Sequence, residues 1–249
     1  MQLNRKAVRF SLLVLPVGVV TSIYLATMNM KAMQQMGVEA PVFVLVLSSI
    51  LQIAGLYTLV LGYFGYVLSE RVHLAPVGLL EKKKIIQAIL AGFLCALVML
   101  SDLYLFAPVI PQIQAAYTRE SFSLTALLFS MLYGGIIEEI MLRLFFLSLL
   151  VFLMDKIFDA KRGEAPIRPL FYQIANVVAA LLFALGHLPA TQVAFGGLTT
   201  LLVVRSLVLN GVLGWIFGLI YLKRGLQYAM IAHALTHLFN QAILLLFIL

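Results

Sequence analysis

Charged side chains and cysteine are both scarce in this sequence. Only 11% of its 249 residues are Asp, Glu, Lys or Arg, whereas a soluble globular domain usually has about 25%. This shortage of charge, together with 63% hydrophobic residues, excludes a soluble fold. The single cysteine, Cys95, excludes an internal disulfide, and in its apolar surroundings we expect it to be a small buried residue without a reactive thiol.

Internal repeats and linkers are also lacking. The chain shows no solenoid period, and no low-complexity stretch separates two domains. We therefore expect residues 1–249 to form a single membrane domain.

Long apolar runs are what the sequence has instead. They recur at lengths of about 20 residues, and each can cross a hydrocarbon core of about 30 Å as a helix. We predict an all-α fold, a polytopic transmembrane helical bundle of seven spans, or eight if a short helix lies around 193–208. The predicted spans are about 8–28, 41–68, 85–110, 122–154, 172–188, 197–221 and 226–249. The first span is expected to be retained, because no small-residue cleavage site precedes the polar residues after it.

The 17 Lys and Arg residues predict how the bundle is oriented. Cationic loops are retained on the cytoplasmic side during insertion. With a cytoplasmic N-terminus, thirteen of the 17 fall inside, only Lys31 and Arg119 fall outside, and Arg143 and Arg205 lie within apolar runs. The thirteen are Arg5, Lys6, Arg9, Arg71, Lys82, Lys83, Lys84, Lys156, Lys161, Arg162, Arg168, Lys223 and Arg224.

The net charge of +7 thus reflects membrane topology. No nucleic-acid partner is expected, because the cations are spread over four segments instead of lying on one soluble face with interleaved aromatics. The lipid bilayer is the partner that the composition implies. A small all-membrane chain without an organellar targeting extension suits a multi-pass protein of a bacterial cell membrane. No feature of the sequence sets its oligomeric state.

Three clusters of polar side chains interrupt the apolar runs, where a charge costs about 3 kcal/mol or more unless it has a partner or a task. In the first cluster, Glu139 and Arg143 share a helix face, since a helix advances about 100° per residue. Acid before base at this spacing is the favourable order for an ion pair. Glu138 has no such local partner, which makes it the candidate general base. The alternative is a charge network that only ties helices together.

Histidines form the other two clusters. His187 shares a helix face with Phe183, just before the predicted helix ends, and a hydrogen bond at the helix end would explain it as well as catalysis does. His233, His237 and Asn240 fall within about 40° of one stripe. Such a stripe must face the bundle interior or a wet cavity, where its N–H groups can stabilise a developing oxyanion. For His237 and Asn240, hydrogen bonding between helices is an equal alternative.

Together the three clusters resemble the motifs of the CAAX protease and bacteriocin-processing (CPBP) family of intramembrane glutamic endopeptidases, also called the Abi family. The resemblance rests on Glu-Glu-x-x-x-Arg at 138–143, Phe-x-x-x-His at 183–187 and a histidine at 233, in this order on successive apolar helices. It covers about 130–245 within a motif-bearing core of about 122–249. The first half of the chain matches only as generic membrane helices.

The resemblance implies a membrane protease that hydrolyses a peptide bond with activated water, without a covalent intermediate, a cofactor or a metal. Its substrate would be a membrane-associated peptide or protein; the family processes both prenylated C-termini and peptide leaders, and no residue here chooses between them. By this resemblance Glu138 and His187 would activate the water and His233 would donate to the oxyanion. Glu139 and Arg143 would support the site.

One position departs from the family pattern. The last motif usually reads His-x-x-x-Asn, and here the fourth position after His233 is His237. Either His237 donates the hydrogen bond itself, or Asn240, one turn farther along the stripe, supplies an amide. The departure affects the oxyanion assignment and leaves the water-activating one unchanged.

Two other interpretations follow from the same residues. His233 and His237 have the spacing of two zinc ligands on one helix, and Glu138 or His187 could complete the site of an intramembrane zinc metallopeptidase. However, the glutamate that follows the first histidine in the common zinc peptidase helix is missing. A non-catalytic membrane scaffold, immunity factor or transport-accessory protein would use the polar cluster for binding or proton coupling.

The predicted spans leave a geometric difficulty. His233 lies about seven residues, or about 10 Å, from the cytoplasmic edge, whereas Glu138 and His187 are about 15 residues from theirs. Helix tilt, longer extensions or the short helix around 193–208 would have to reconcile these depths. Because hydrolysis needs water, we also expect a cavity that opens toward the cytoplasm.

Overall fold

Helices make up the regular structure of the chain. A computed structural model describes residues 3–35, 37, 41–161, 163 and 165–248, and within them no strand occurs, which confirms the predicted all-α class. The α-helices are α1 (Arg5–Gln35), α2 (Val42–Ser49), α3 (Leu61–Arg71), α4 (Lys82–Leu100), α5 (Asp102–Leu105), α6 (Pro111–Ala116), α7 (Leu124–Leu132), α8 (Ser148–Phe158), α9 (Pro169–Gly186), α10 (Leu188–Phe195), α11 (Thr200–Arg224) and α12 (Leu226–Ile243). Wider π-helical turns occupy Ile50–Val60, Tyr133–Glu138, Ile140–Leu147 and Leu244–Ile248, and a 3₁₀ turn occupies Arg119–Ser121.

Six helices of the described chain are long and apolar enough to cross a bilayer, and they match six of the seven predicted spans with shifted ends. They are Arg5–Met30, Val42–Arg71, Lys82–Leu105, Pro169–Phe195, Thr200–Arg224 and Leu226–Ile248. The other predicted span, 122–154, is a continuous helical run over residues 124–158, which we call the motif helix. At about 1.5 Å per residue it is also long enough to span. The short helix expected around 193–208 lies earlier, as α10.

The motif helix is unusual in its winding. Two π-helical segments lie on either side of Glu139, and such turns are frequent at functional sites. Gly135, in the first of them, allows α12 to come close, since a Cβ on it would lie 2.7 Å from the Cβ of Ala234. The acidic motif is thereby held against the helix that carries His233.

α12, which carries the His233 cluster, packs against the motif helix and against α11, the neighbour of the helix that ends at His187. It contacts α4, α11, α7 and the π-helical turn that ends at Glu138. α11 packs along α9, and α9 packs on the π-helical segment that contains Arg143. The helices that carry the three polar clusters are therefore linked by packing on one another and on α11. On the far side of the motif helix, α1 and α3 complete the bundle.

Hydrogen bonds between helix ends show which ends share an edge of the bundle. The Asn4 side chain donates to the Glu70 carboxylate at 2.9 Å, and the Tyr172 hydroxyl donates to the Val72 carbonyl at 2.8 Å. The starts of α1 and α9 therefore lie beside the end of α3. We call this the cationic edge, because twelve of the thirteen cations predicted to be cytoplasmic belong to the described segments that meet here. The thirteenth, Arg162, lies outside the described residues.

Close packing of α4 on α12 yields a stability prediction. A Cβ added to Gly92 of α4 would lie 2.8 Å from the backbone oxygen of Ala232, so Gly92→Ala should push the two helices apart. Overpacking of this kind typically destabilises a fold by about 1–3 kcal/mol. We expect a lower thermal unfolding midpoint in detergent, measured on purified protein.

Gly211→Ala is the matched control, because a Cβ there would meet Ala184 at 3.9 Å, an ordinary contact. Its unfolding midpoint should stay at or above that of the wild type. An equal loss of stability in both variants would show that the close approach of α4 to α12 does not set the effect.

Candidate active site

A buried ion pair forms the inner part of the site. The Nη1 atom of Arg143 lies 3.1 Å from Oε1 of Glu139, and both side chains are essentially inaccessible to solvent. This is the pairing that the spacing on the motif helix predicts. Arg143 also donates from Nη2 to the backbone carbonyl of Gly214 on α11, at 2.7 Å. The pair thus fastens the motif helix to α11.

Two aromatic rings enclose the guanidinium. The Cζ atom of Arg143 lies 4.9 Å from the ring centre of Phe183 and 5.7 Å from that of Phe217. Cations over aromatic faces are stabilised, and more so where water is excluded. The rings come from α9 and α11, so the charge of the motif helix also fixes how these two helices approach it. Apolar spans predict such rings only as core or lipid-facing residues, which is why the sequence did not single out Phe217.

His233 joins the ion pair from α12. Its Nδ1 lies 2.8 Å from Oε1 of Glu139, and since a carboxylate accepts, Nδ1–H donates. The other ring nitrogen, Nε2, lies 3.9 Å from Oε2 of Glu138. Phe217 stacks on the imidazole at 4.3 Å between ring centres. The two consecutive glutamates therefore flank one imidazole, Glu139 fully buried and Glu138 with 17% of its side chain exposed.

His187 lies where α9 ends. Its Nδ1 is 2.8 Å from the carbonyl oxygen of Phe183, which can only accept, so Nδ1 carries the hydrogen and Nε2 of the neutral ring is an acceptor. The helix-end hydrogen bond considered from the sequence is present, and it leaves the second nitrogen available. The Phe183 ring lies 4.6 Å from His187 and 5.8 Å from His233, between the two histidines.

The other two residues of the polar stripe on α12, His237 and Asn240, have different surroundings. The His237 ring stacks on that of His233 at 5.2 Å, and a Cβ on Gly134 would lie 2.9 Å from Nε2 of His237. The missing side chain at Gly134 therefore makes room for His237. Asn240 lies farther along α12 and is not among the described residues that line the cavity beside these histidines, which is described next.

A cavity of about 300 Å³ reaches the histidines. Its inner end is lined by Phe183, His187, Phe217, His233, Thr236 and His237. Its walls then run along α4 and α11 to a mouth lined by Asp102, Tyr117, Ala194, Phe195 and Arg205. These mouth residues belong to the helix ends opposite the cationic edge. The cavity therefore opens away from the edge at which the cytoplasmic opening expected from the sequence would lie.

An ion pair that the sequence did not reveal lies at the mouth. Arg205 donates from Nε and Nη2 to the two carboxylate oxygens of Asp102, at 2.7 and 2.6 Å, and the Tyr117 hydroxyl donates to the same carboxylate at 2.8 Å. Burial, and secondly the Asp102 charge, raise the pKa of the Tyr117 hydroxyl. Each of the two ions is a lone charge in an apolar run, which is a signal for pairing. Their separation by 103 residues hides the partner.

Glu138 and His233 meet at one depth because the start of α12 is covered by a loop and does not end the bundle. The Tyr228 hydroxyl accepts the Glu81 N–H at 2.8 Å and donates to the Leu79 carbonyl at 3.3 Å. The loop between α3 and α4 therefore folds over the start of α12, where Tyr228 is 1% exposed. His233, only about two turns into α12, reaches the level of Glu138 in this way.

The geometry does not assemble a metal site around the two histidines of α12. Among the described residues, no three His, Cys, Asp or Glu side chains converge as ligands of one ion. The His233 and His237 rings lie nearly parallel, at 26°, and Nδ1 of His233 is committed to Glu139.

Comparison with known proteins supports the motif assignment. Residues 120–239 match the family model described as Rce1-like, type II CAAX prenyl endopeptidase. This confirms the resemblance drawn from the three motifs. The match includes the motif helix up to its end, His187, His233 and His237, and stops before Asn240. No curated protein and no solved structure matches the chain.

The buried ion pair yields a second prediction. Arg143→Met removes the cation and leaves Glu139 buried without it, which in buried pairs costs about 3–5 kcal/mol. We expect a large fall in the thermal unfolding midpoint in detergent. The double variant Glu139→Gln with Arg143→Met should recover part of that loss, because neither charge is then left alone.

Arg168→Met provides the control. Arg168 also pairs with a carboxylate, that of Asp159 at 2.7 Å, but 61% of its side chain is exposed. Such surface pairs contribute about 0–1 kcal/mol. Equal effects of the two Arg→Met changes would contradict the importance given to burial.

Proposed function

The chain carries an Rce1-like membrane-protease domain, and from this premise we propose that it is an intramembrane endopeptidase in which Glu138 activates the attacking water. The different surroundings of two adjacent carboxylates carry the proposal. Glu139 is fully buried and bonded to Arg143 and His233, whereas Glu138 is partly exposed and lies beside the other nitrogen of His233. A carboxylate without a bound cation is the better proton acceptor.

His187 provides the second contact of the proposed water. Its Nδ1–H is donated to the Phe183 carbonyl, so Nε2 of the neutral ring accepts hydrogen bonds, and the ring lines the cavity. A water held between Glu138 and this nitrogen has both of its hydrogens directed to acceptors. Its lone pair is then free to attack a carbonyl carbon.

The proposed reaction is direct hydrolysis. The water oxygen bonds to the carbonyl carbon of the scissile peptide while its proton passes to Glu138. Collapse of the tetrahedral species breaks the C–N bond, and the proton held by Glu138 passes to the departing amine. The products are a carboxylic acid and an amine, and no covalent intermediate with the protein forms.

The oxyanion of the tetrahedral species needs N–H donors. His233 donates its Nδ1–H to Glu139, so it can serve the oxyanion only when Nε2 carries a second proton. His237 lines the cavity and stacks on His233, which makes it the second donor in place of the family's usual asparagine. Asn240 is outside the matched residues.

Glu138→Gln should abolish cleavage while leaving the protein folded. The change keeps the shape of the side chain and removes its basicity, and loss of a general base typically lowers the rate by about 100-fold or more. Purified wild-type and variant proteins would be assayed in detergent against a membrane-peptide library, each with and without a strong chelator. The control is Glu81→Gln, at the exposed cationic edge, which should cleave normally.

Chelator-resistant cleavage that depends on Glu138 is the expected result. Chelator-sensitive cleavage would favour the zinc peptidase instead. A folded wild-type protein that cleaves no member of the library would favour the scaffold role.

The oxyanion assignment predicts a graded series on α12. His237→Asn, which introduces the family's usual residue, should retain most activity because an amide N–H can replace the imidazole N–H. His237→Phe should reduce kcat by about 100-fold, the usual effect of losing one oxyanion donor. Asn240→Ala should leave kcat nearly unchanged. A large loss in Asn240→Ala with normal cleavage by His237→Phe would transfer the role to Asn240.

A further inference from the structure

The direction in which the cavity opens is fixed by the helices that line its mouth. Ala194 lies near the end of α10 and Arg205 near the start of α11, on the edge opposite the cationic one. α11 runs from this mouth to Lys223 and Arg224 at the cationic edge. Water and substrate that enter the cavity therefore come from the edge with few cations.

The cationic side of the site is closed by packed side chains. Tyr221, on α11, is 1% exposed and hydrogen-bonded to Ser148 at 3.1 Å. Leu226 and Ala229, on the first turn of α12 and just after it, are fully buried. The hydroxyls of Tyr221 and Ser148 are bonded to each other, and among the described residues this buried layer lies between His233 and the cationic edge.

The two edges differ strongly in positive charge. Twelve described Lys and Arg residues belong to the segments of the cationic edge, against Lys31, near the end of α1, and Arg119, in the 3₁₀ turn, at the other edge. Arg205, near the mouth, is neutralised by Asp102. Cation-rich loops stay in the cytoplasm during insertion. The same rule that orients the bundle thus places the mouth of the cavity on the opposite face.

We propose that the catalytic cavity takes its substrate from the extracytoplasmic side of the membrane. The substrate class is then an exported or membrane-anchored polypeptide whose cleaved segment lies in the outer half of the bilayer. The substrate class in this inference rests on the proposed peptidase function. The side of the membrane from which the substrate enters rests only on charge and cavity geometry. A segment confined to the cytoplasmic side has no route through this cavity to His187 and His233.

The dimensions and lining of the cavity agree with an unfolded segment. About 300 Å³ admits a short extended stretch of chain and excludes a folded domain. Met99, Leu209 and Leu213 give its walls an apolar surface, which suits small or apolar side chains. The Asp102–Arg205 pair at the mouth supplies hydrogen-bonding groups where the segment leaves the lipid.

Cysteine labelling tests the side without requiring any catalysis. In a Cys95→Ala background, which removes a thiol that is only 1% exposed, single cysteines would be placed at three exposed positions. Thr118→Cys adjoins the mouth, Ala194→Cys lines the cavity, and Leu79→Cys lies on the cationic edge. Intact cells would be treated with a membrane-impermeant maleimide before and after permeabilisation.

We expect Thr118→Cys and Ala194→Cys to be labelled in intact cells, and Leu79→Cys only after permeabilisation. Labelling of Leu79→Cys in intact cells would overturn the proposal, as would labelling of Ala194→Cys only after permeabilisation. The same pattern should appear when Glu138→Gln is added, since topology does not depend on activity. Failure of the peptidase assay would therefore not affect the labelling result. A labelling result that contradicts the proposed side would likewise not affect the peptidase assay.

Discussion

The Glu139–Arg143 ion pair is the constraint on which the rest of the site depends. Two charges in an apolar bundle are costly to bury unless they are paired with each other. Here the carboxylate accepts from His233 on α12, and the guanidinium donates to the Gly214 carbonyl on α11 and lies over the Phe183 ring on α9. The contacts of one buried pair thus fix the relative positions of four helices.

Two consecutive glutamates acquire different properties from this arrangement. Residues next to each other on a helix point about 100° apart, so only one of them can lie in the ion pair. Glu139 occupies it, and Glu138 is left on the other side of the His233 ring, partly exposed. The network holds His233 by one nitrogen and leaves the other toward Glu138. A structural charge pair therefore orients the groups to which we assign the chemistry.

Hydropathy and residue spacing within one helix predict part of this site. The rest depends on contacts between distant helices, which local sequence patterns do not encode. The spans follow from hydropathy, and the pairing of Glu139 with Arg143 follows from spacing on one helix. The meeting of Glu138 with His233 depends on a loop that covers the start of α12, which no local pattern encodes. The Asp102–Arg205 pair and the direction of the cavity likewise depend on how distant helices are juxtaposed.

The origin of the oxygen in the product tests the central claim, that water activated beside Glu138 attacks the peptide directly. A single-turnover cleavage by excess protein in water enriched with ¹⁸O would be analysed by mass spectrometry of the new carboxyl group. The account predicts that the product of the first turnover carries ¹⁸O from the solvent and that the protein carboxylates carry none. Unlabelled oxygen in the first product, with ¹⁸O later found in Glu138, would show a covalent intermediate on that carboxylate and contradict the account.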